Sequence, residues 1–177
     1  MKRDIKVTTS HHQKIGFGGG CHWCTEAVFQ SLSGVTKVEQ GWLASFDEHD
    51  SLSEGVIVHF DSQKLPLEAL ITIHLATHSS TSNHSMRSKY RSTIYYFSEH
   101  QAQQAENCIT KVQADINKMI ITQVLAFNRF KENSEKYRNY YYSNPDKPFC
   151  QTVIQPKLDK LMSHYGVYTN KKKLNSQ

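Results

Sequence analysis

A run of three glycines, residues 18–20, constrains the fold of this chain more than any other feature of its sequence. Before the run, residues 14–17 form a short segment that predicts a strand. After it, residues 23–32 carry apolar side chains at helical spacing. Because glycine accepts backbone conformations that other residues avoid, the run predicts a sharp turn from strand to helix. The first predicted unit is therefore a strand, a tight turn and a helix that has Cys21 at its start.

The remaining sequence alternates between strand and helix patterns. Strand patterns cover residues 35–43, 55–60, 90–97 and 120–127. Helix patterns begin near Pro66 and at the capping box Ser98-x-x-Gln101, and further helices are predicted over residues 131–142 and 156–165. This order predicts an α+β fold, an α/β sandwich in which helices pack on a mixed sheet. Its first half has the order of a ferredoxin-like βαββαβ core.

A length of 177 residues suits a single compact domain, which we expect over residues 14–166. We expect residues 1–13 to be a loose N-terminal segment and residues 167–177 to be a basic tail. The sequence shows neither a signal peptide nor the run of about 20 apolar residues that a membrane span requires. These features predict a cytoplasmic protein without a membrane partner.

The net charge of +5 permits attraction to acidic partners. Three of these charges belong to Lys171, Lys172 and Lys173, and a terminal run of this kind is typically a solvated end. Without them the net charge is +2, which does not favour nucleic acid binding. We expect a monomer.

Four cysteines, Cys21, Cys24, Cys108 and Cys150, require an explanation other than a disulfide scaffold, which a reducing compartment disfavours. At the predicted helix start, unpaired N–H groups and the helix dipole stabilise negative charge on Cys21. Its thiol should therefore have a lowered pKa and act as a nucleophile, the alternative being a buried structural cysteine. Cys108 falls on the apolar face of a predicted helix and is expected in the core.

Cys24 completes a C-x-x-C motif with Cys21, and three interpretations remain open. The pair could be a thiol–disulfide couple, half of a zinc site, or a nucleophile with a neighbour that only fills space. A second C-x-x-C is missing, so we predict no metal site. Between the two cysteines, Trp23 could be a core residue or the wall of an apolar pocket. His22 could be a base, a hydrogen-bond donor or an exposed residue.

Residues 18–29 read Gly-Gly-Gly-Cys-His-Trp-Cys-Thr-Glu-Ala-Val-Phe. This segment resembles the signature of the A-type peptide methionine sulfoxide reductases, which is commonly Gly-Cys-Phe-Trp followed by Gly or Cys. Three further blocks are similar to motifs of that family in the same order: residues 54–61, 89–92 and 144–158. The resemblance extends over about residues 14–165.

The resemblance implies a role for each matched residue. A thiolate at Cys21 would attack the sulfoxide sulfur, which yields methionine and a sulfenic acid on the enzyme. Glu54 would protonate the sulfoxide oxygen, a role that requires a partly buried carboxyl; the alternative is an exposed carboxylate before a strand. Trp23 would hold the methyl group of the substrate, and Tyr90 would hydrogen-bond its oxygen.

The resemblance also implies how the reaction cycle ends. A resolving thiol would attack the sulfenic acid, and thioredoxin, or dithiothreitol in its place, would reduce the resulting disulfide without any cofactor. Cys150 stands where the family places a resolving cysteine, and Cys24 is a rival that is closer in sequence.

The chain also departs from the family pattern. His22 replaces the common phenylalanine, the short loop between Gly41 and Glu54 lacks a tyrosine, and no aspartate lies between Asp61 and Asp115. Such partners normally fix the geometry of a site, so we consider the hypothesis that His22 donates to the sulfoxide oxygen in place of the tyrosine.

Three functions compete. The first is a methionine sulfoxide reductase that acts on the S epimer. The second is a disulfide oxidoreductase that uses only Cys21 and Cys24. The third is a non-catalytic relative that binds oxidised methionine without turnover.

Overall fold

The computed structural model describes residues 10–175, and its centre is a six-stranded sheet. The strands are β1 (His12–Gly18), β2 (Val35–Ala44), β3 (Ser53–Asp61), β4 (Thr93–Tyr96), β5 (Gln123–Ala126) and β6 (Arg129–Glu132). Their order across the sheet is β5-β4-β1-β3-β2-β6. β4 and β5 run parallel and the other neighbours run antiparallel, so the predicted mixed sheet is confirmed.

Helices connect and cover these strands. They are α1 (His22–Gln30), α2 (Leu67–Thr77), α3 (Glu99–Ala114), α4 (Tyr140–Ser143), α5 (Gln155–Tyr165) and α6 (Lys171–Asn175). Short 3₁₀ turns lie at Asp47–His49, Glu135–Tyr137 and Gly166–Tyr168, and a π-helical turn lies at Cys150–Ile154. Because α1 connects β1 to β2 and α2 connects β3 to β4, the central order β4-β1-β3-β2 is the predicted ferredoxin-like unit.

One face of the sheet carries most of the core. Alternate residues of a strand point to the same face, and Val56, Val58 and Phe60 of β3 are fully buried beneath the helices. The helices contribute further buried side chains, among them Ala27, Phe29, Leu70, Ile71, Leu158 and Leu161. Glu54 is two residues before Val56 and therefore lies on the same, helix-covered face.

The predicted continuous helix over residues 131–142 is wrong, and only residues 140–142 of it lie in an α-helix, α4. Residues 129–132 form β6, which pairs with residues 41–44 of β2. A Cβ atom on Gly41 would lie 2.0 Å from the carbonyl oxygen of Lys131, so this glycine allows the close approach of the two backbones. Phe130 packs against a small cluster on the second face of the sheet. This long-range pairing outweighs the local helical pattern.

Both ends of the described chain pair with the domain. β1 begins at His12, inside the segment predicted to be loose, and residues 1–9 lie outside the described residues. In the predicted tail, Thr169 forms a β-bridge with Leu32, and the Lys173 ammonium donates to the Gln30 carbonyl at the end of α1. A cation is favourable at a helix C-terminus, which accounts for this contact. Residues 176–177 lie outside the described residues.

Across residues 10–175, none of the helices combines the length and the apolar character needed to cross a membrane.

Candidate active site

The turn after β1 places Cys21 at the N-terminal end of α1. Gly19 has a φ angle of 150°, and a Cβ atom there would lie 2.4 Å from the ring of His78, so only glycine fits. Cys21 immediately precedes the first helical residue, and its carbonyl accepts the N–H groups of Cys24 and Thr25 at 3.1 and 3.2 Å. The space beside Gly20 is open, and Cys21 is partly exposed.

The surroundings of Cys21 favour its thiolate. The pKa of this thiol is lowered, first because the Cys24 thiol donates to its sulfur, and further because the backbone N–H groups of Trp23 and Cys24 donate to it. Burial and the negative charge of Glu54 oppose the lowering. The direction agrees with the sequence prediction, although the neighbouring thiol contributes more than the helix start does.

The other three cysteines are buried, and the pKa of each is raised. The pKa of Cys24 is raised because its proton is held by the Cys21 sulfur and because the thiol is buried. Cys150 begins the π-helical turn, is fully buried and also has a raised pKa. The π-helical turn packs against α1, the helix that carries Cys24, and negative charge on Cys150 raises the pKa of Cys24. Cys108 is buried with its sulfur 3.5 Å from Thr72 Oγ1 in the core, where it was predicted to be.

Glu54 is held next to Cys21 by backbone contacts. Its Oε2 accepts the N–H of His22 at 3.1 Å, and its own N–H donates to the Lys89 carbonyl at 3.0 Å. The residue is only 8% exposed, so the exposed-carboxylate alternative is wrong. The carboxyl is therefore fixed within electrostatic reach of the Cys21 sulfur.

The ring of His22 is buried, and both of its nitrogens have partners within the protein. Nδ1 lies 3.0 Å from the carbonyl oxygen of Gly41, which can only accept, so Nδ1 carries the proton. Nε2 then accepts from the side-chain amide of Asn133 at 3.4 Å, and Asn133 also donates to Gln40 at 2.7 Å. The ring is therefore not exposed. Both of its nitrogens are bonded within the protein, and neither is directed to a substrate oxygen as the hypothesis required. The backbone N–H of His22 donates to Glu54 Oε2, and the ring Nδ1 lies 3.8 Å from the same oxygen.

Trp23 is the centre of an aromatic cluster that comes from a distant part of the chain. Its ring stacks on Tyr140 with centroids 4.1 Å apart, and Phe149 meets it edge-on at 5.6 Å. Tyr137 lies at 6.1 Å. Trp23 itself is only partly buried, so it lines a wall beside Cys21 rather than filling the core. Such a wall offers the apolar surface that a methyl group would contact.

Glu26 was quoted in the sequence motif but was assigned no role there. It is 2% exposed, and its two carboxylate oxygens accept the backbone N–H groups of Asn139 and Tyr140 at 2.9 and 3.0 Å. Burial, the largest influence, raises its pKa, while these hydrogen bonds lower it. The carboxylate thereby fixes Tyr140 against Trp23. The sequence signal available for this role was an acidic residue one helical turn after Trp23, on the same side of the predicted helix.

Lys89 is a second residue that the sequence analysis left without a role. Its ammonium lies 3.8 Å from Glu54 Oε1, and its pKa is raised by a hydrogen bond with Tyr90 and by the charges of Tyr90, Glu54 and Cys21. One cation is therefore near Tyr90, Glu54 and Cys21 together. The structure thus brings three of the predicted site residues around a single point.

Residues 10–175 contain no cluster of three or more histidine, cysteine, aspartate or glutamate side chains that could bind a metal ion. Among these residues, the C-x-x-C pair is therefore not part of such a cluster.

Comparison with known proteins adds to this geometry. The sequence profile of a family described as peptide methionine sulfoxide reductase matches residues 13–169. A protein named peptide methionine sulfoxide reductase MsrA from Psychrobacter sp. (strain PRwf-1) is 36% identical over 175 residues, covering 90% of this chain and 99% of the relative. A protein of the same name from Acinetobacter baumannii (strain SDF) is 35% identical over 167 residues, covering 86% of this chain and 95% of the relative.

The fold is also similar to that of a solved protein, Mxr1 from Saccharomyces cerevisiae. Its reduced form matches with a TM-score of 0.65 at 16% identity, over 85% of this chain and 95% of Mxr1. The structure of Mxr1 in complex with Trx2 matches with a TM-score of 0.58 at 16% identity, over 77% of this chain and 91% of that one.

Proposed function

Because the chain belongs to the A-type peptide methionine sulfoxide reductase family, whose members reduce methionine sulfoxide with thiols, we propose that it acts on the S epimer through Cys21. One observation supports this assignment above the others. The thiol with the lowered pKa lies beside the carboxyl of Glu54, which is hydrogen-bonded to the N–H of the next residue, His22, at 3.1 Å. The acid on β3 is therefore held against the turn that carries the nucleophile, through the residue that follows the nucleophile.

The first step transfers oxygen from the substrate to the enzyme. The Cys21 thiolate attacks the sulfoxide sulfur while the Glu54 carboxyl gives a proton to the sulfoxide oxygen, which makes that sulfur electrophilic. The attack forms a bond between the Cys21 sulfur and the substrate sulfur. That bond and the sulfur–oxygen bond of the substrate then break as the hydroxyl group passes to Cys21. Methionine leaves reduced by two electrons, and Cys21 becomes a sulfenic acid.

The walls of the site position this substrate. Trp23, stacked on Tyr140, offers an apolar surface for the methyl group. The Lys89 ammonium lies 3.8 Å from Glu54 Oε1 and 5.1 Å from the centroid of the Tyr90 ring, and we assign it and the Tyr90 hydroxyl as donors to the sulfoxide oxygen. Lys89 would supply the donor that the missing tyrosine provides in the family pattern.

The second step forms a disulfide and releases water. We assign Cys24 as the first resolving thiol, because its thiol already donates to the Cys21 sulfur. It attacks the Cys21 sulfenic acid, the new S–S bond forms, and the oxygen leaves as water. Cys150 is near Cys24 but is fully buried, so it is the second candidate for this role.

A dithiol then returns the enzyme to its reduced state without a resident cofactor. We propose thioredoxin as this dithiol; the Trx2 complex of the structurally similar Mxr1 supports the assignment. Dithiothreitol can replace it in vitro. The four cysteines are unpaired, as suits a protein in the reducing cytosol.

The test is to incubate the protein with each epimer of methionine sulfoxide and dithiothreitol, and to quantify methionine by chromatography. We expect loss of the S epimer alone, at a rate that Cys21→Ser lowers at least about a thousandfold. Methionine from neither epimer, or equal loss in the Cys21→Ser variant, would overturn the proposal.

Two further measurements distinguish the two alternative functions. A disulfide oxidoreductase would reduce the disulfides of insulin and keep that activity after Glu54→Gln. A non-catalytic relative would bind the S-sulfoxide without forming methionine. We expect neither result.

A further inference from the structure

Three lysines surround the aromatic walls of the site, and we call Lys131, Lys136 and Lys147 the basic rim. They come from separate segments: β6, the 3₁₀ turn at Glu135–Tyr137, and the stretch before the π-helical turn. They form no motif in the sequence, and only the fold brings them to the site. The mechanism described above uses none of them.

Each rim lysine lies against an aromatic ring that reaches the site. The Lys147 ammonium is 4.0 Å from the centroid of Tyr140, the ring that stacks on Trp23 at 4.1 Å. The Lys136 ammonium is 4.8 Å from the ring of Tyr137, which lies 6.1 Å from Trp23. These two cations therefore flank the wall that would hold the substrate side chain.

Lys131 reaches the surroundings of His22 through Trp42. In the sheet it pairs with Trp42, and Trp42 pairs with Glu54, so these three side chains share one face. The Lys131 ammonium is 5.8 Å from the Trp42 ring, and that ring lies 5.2 Å from His22. His22 and Trp23, the two residues that follow Cys21, are thus each in contact with aromatic rings that have a lysine beside them.

The charges of the rim are not neutralised within the described part of the chain. No carboxylate of residues 10–175 comes within 4 Å of the three ammonium groups. Glu132, the sequence neighbour of Lys131, pairs with Arg138 at 2.8 Å instead. Glu135 and Asp146 are also neighbours in sequence, and neither forms an ion pair with the rim. An anionic partner from outside the chain is therefore the charge that this surface lacks.

We propose that the basic rim binds acidic residues that flank the oxidised methionine, so that the preferred substrates are methionine sulfoxides in acidic peptide segments. This inference rests on the proposed function, because it concerns the same site. A side chain bound at Trp23 would leave the peptide on either side of it near the rim. Cations held on aromatic rings are already partly ordered, which reduces the entropy lost on binding.

The test uses two blocked peptides with methionine S-sulfoxide at the centre, one with two aspartates on each side and the other with asparagines in their place. Binding is measured calorimetrically to the Cys21→Ser variant, so that turnover does not interfere. Since each exposed ion pair contributes little, we expect about tenfold tighter binding of the acidic peptide near 10 mM salt. The preference should largely disappear at about 0.5 M salt.

Substitution locates the effect. The triple variant Lys131→Gln, Lys136→Gln, Lys147→Gln should lose the preference while binding of the asparagine peptide changes less than about twofold. The matched control removes three positive charges elsewhere, with glutamine at Lys64, Lys171 and Lys172, and should keep it.

The two hypotheses fail separately. Equal binding of both peptides, or a preference that survives the triple variant, would overturn the basic rim and leave the reductase activity in place. Absence of methionine when the unmodified protein meets either peptide with dithiothreitol would instead overturn the proposed function, and the binding ratio would still decide the role of the rim.

Discussion

Two regions form the site, and they are held in place by different kinds of contact. The first comprises residues 18–25 and Glu54, and it lies at the ends of β1 and β3, interior strands that are paired on both sides. The second is residues 133–154, which follow the edge strand β6 and consist of short turns. This second region is attached through particular side chains, among them Glu26, which binds the N–H of Tyr140, and Asn133, which binds His22.

The first region carries the groups that react with the substrate, and the second carries groups that bind it. The groups assigned to react with the substrate lie where backbone pairing fixes them. The rings that pack on Trp23, which are Tyr137, Tyr140 and Phe149, and two lysines of the basic rim lie on the less regular segment. Disruption of the first region should therefore lower kcat, and disruption of the second should mainly raise KM. Four predictions follow this division, beginning with the largest effect.

Glu54→Gln tests the first region. The amide keeps the shape and can still accept the N–H of His22, but it gives no proton to the sulfoxide oxygen. We expect kcat to fall about a hundredfold while KM changes less than about threefold. Steady-state kinetics with dithiothreitol measure both, and Glu106→Gln on an exposed face of α3 is the matched control. A kcat within threefold of the unmodified protein would contradict the role of Glu54.

Acid should lower the stability of the fold through His78, which packs against the turn of the first region. His78 packs against Gly19, and burial, together with the positive charges of Arg87 and Lys157, lowers its pKa from 6.5 to about 4. Burial also lowers the pKa of His74. Because the unfolded chain binds a proton near pH 6.5 and the folded His78 does not, stability is lost as the pH falls from 6.5 towards 4.

The expected loss from His78 between pH 7 and pH 4.5 is about 2 kcal/mol in the free energy of unfolding. Urea denaturation at pH 7 and pH 4.5 measures it. His78→Gln, which cannot titrate, should show a smaller difference between the two pH values. Identical pH dependence in the two proteins would show that His78 does not have this depressed pKa.

Glu26→Gln tests the link between the regions. Glutamine offers one acceptor oxygen where the carboxylate offers two, so one of the N–H groups of Asn139 and Tyr140 loses its partner. Tyr140 should then be held less firmly against Trp23. We expect KM to rise about tenfold with kcat within about threefold. A fall in kcat without a change in KM would show that the two regions are not separable in this way.

Cys150→Ser should have the smallest effect. With thioredoxin as reductant, we expect turnover within about twofold of the unmodified protein, because Cys24 resolves the sulfenic acid. Cys24→Ser is the comparison and should slow turnover at least about tenfold, with the sulfenic acid accumulating on Cys21. If the two variants exchanged these behaviours, Cys150 would be the resolving thiol.

The same division describes what could be predicted from the sequence. The glycine run, the position of Cys21 and the strand after Glu54 are local patterns, and the structure has all of them. β6, the bond from Asn133 to His22 and the contact from Glu26 to Tyr140 each join residues more than 80 positions apart. Local periodicity carries no information about such contacts, and for this reason residues 131–142 were predicted to be a helix.

The central claim is that the Cys21 sulfur receives the oxygen of the substrate. The most direct measurement uses the double variant Cys24→Ser, Cys150→Ser, mixed with methionine S-sulfoxide in the absence of any reductant. We expect one methionine per chain, and by mass spectrometry one added oxygen atom on Cys21, which a sulfenic acid reagent should trap. No methionine, or an oxygen found on Cys108 and not on Cys21, would contradict the claim.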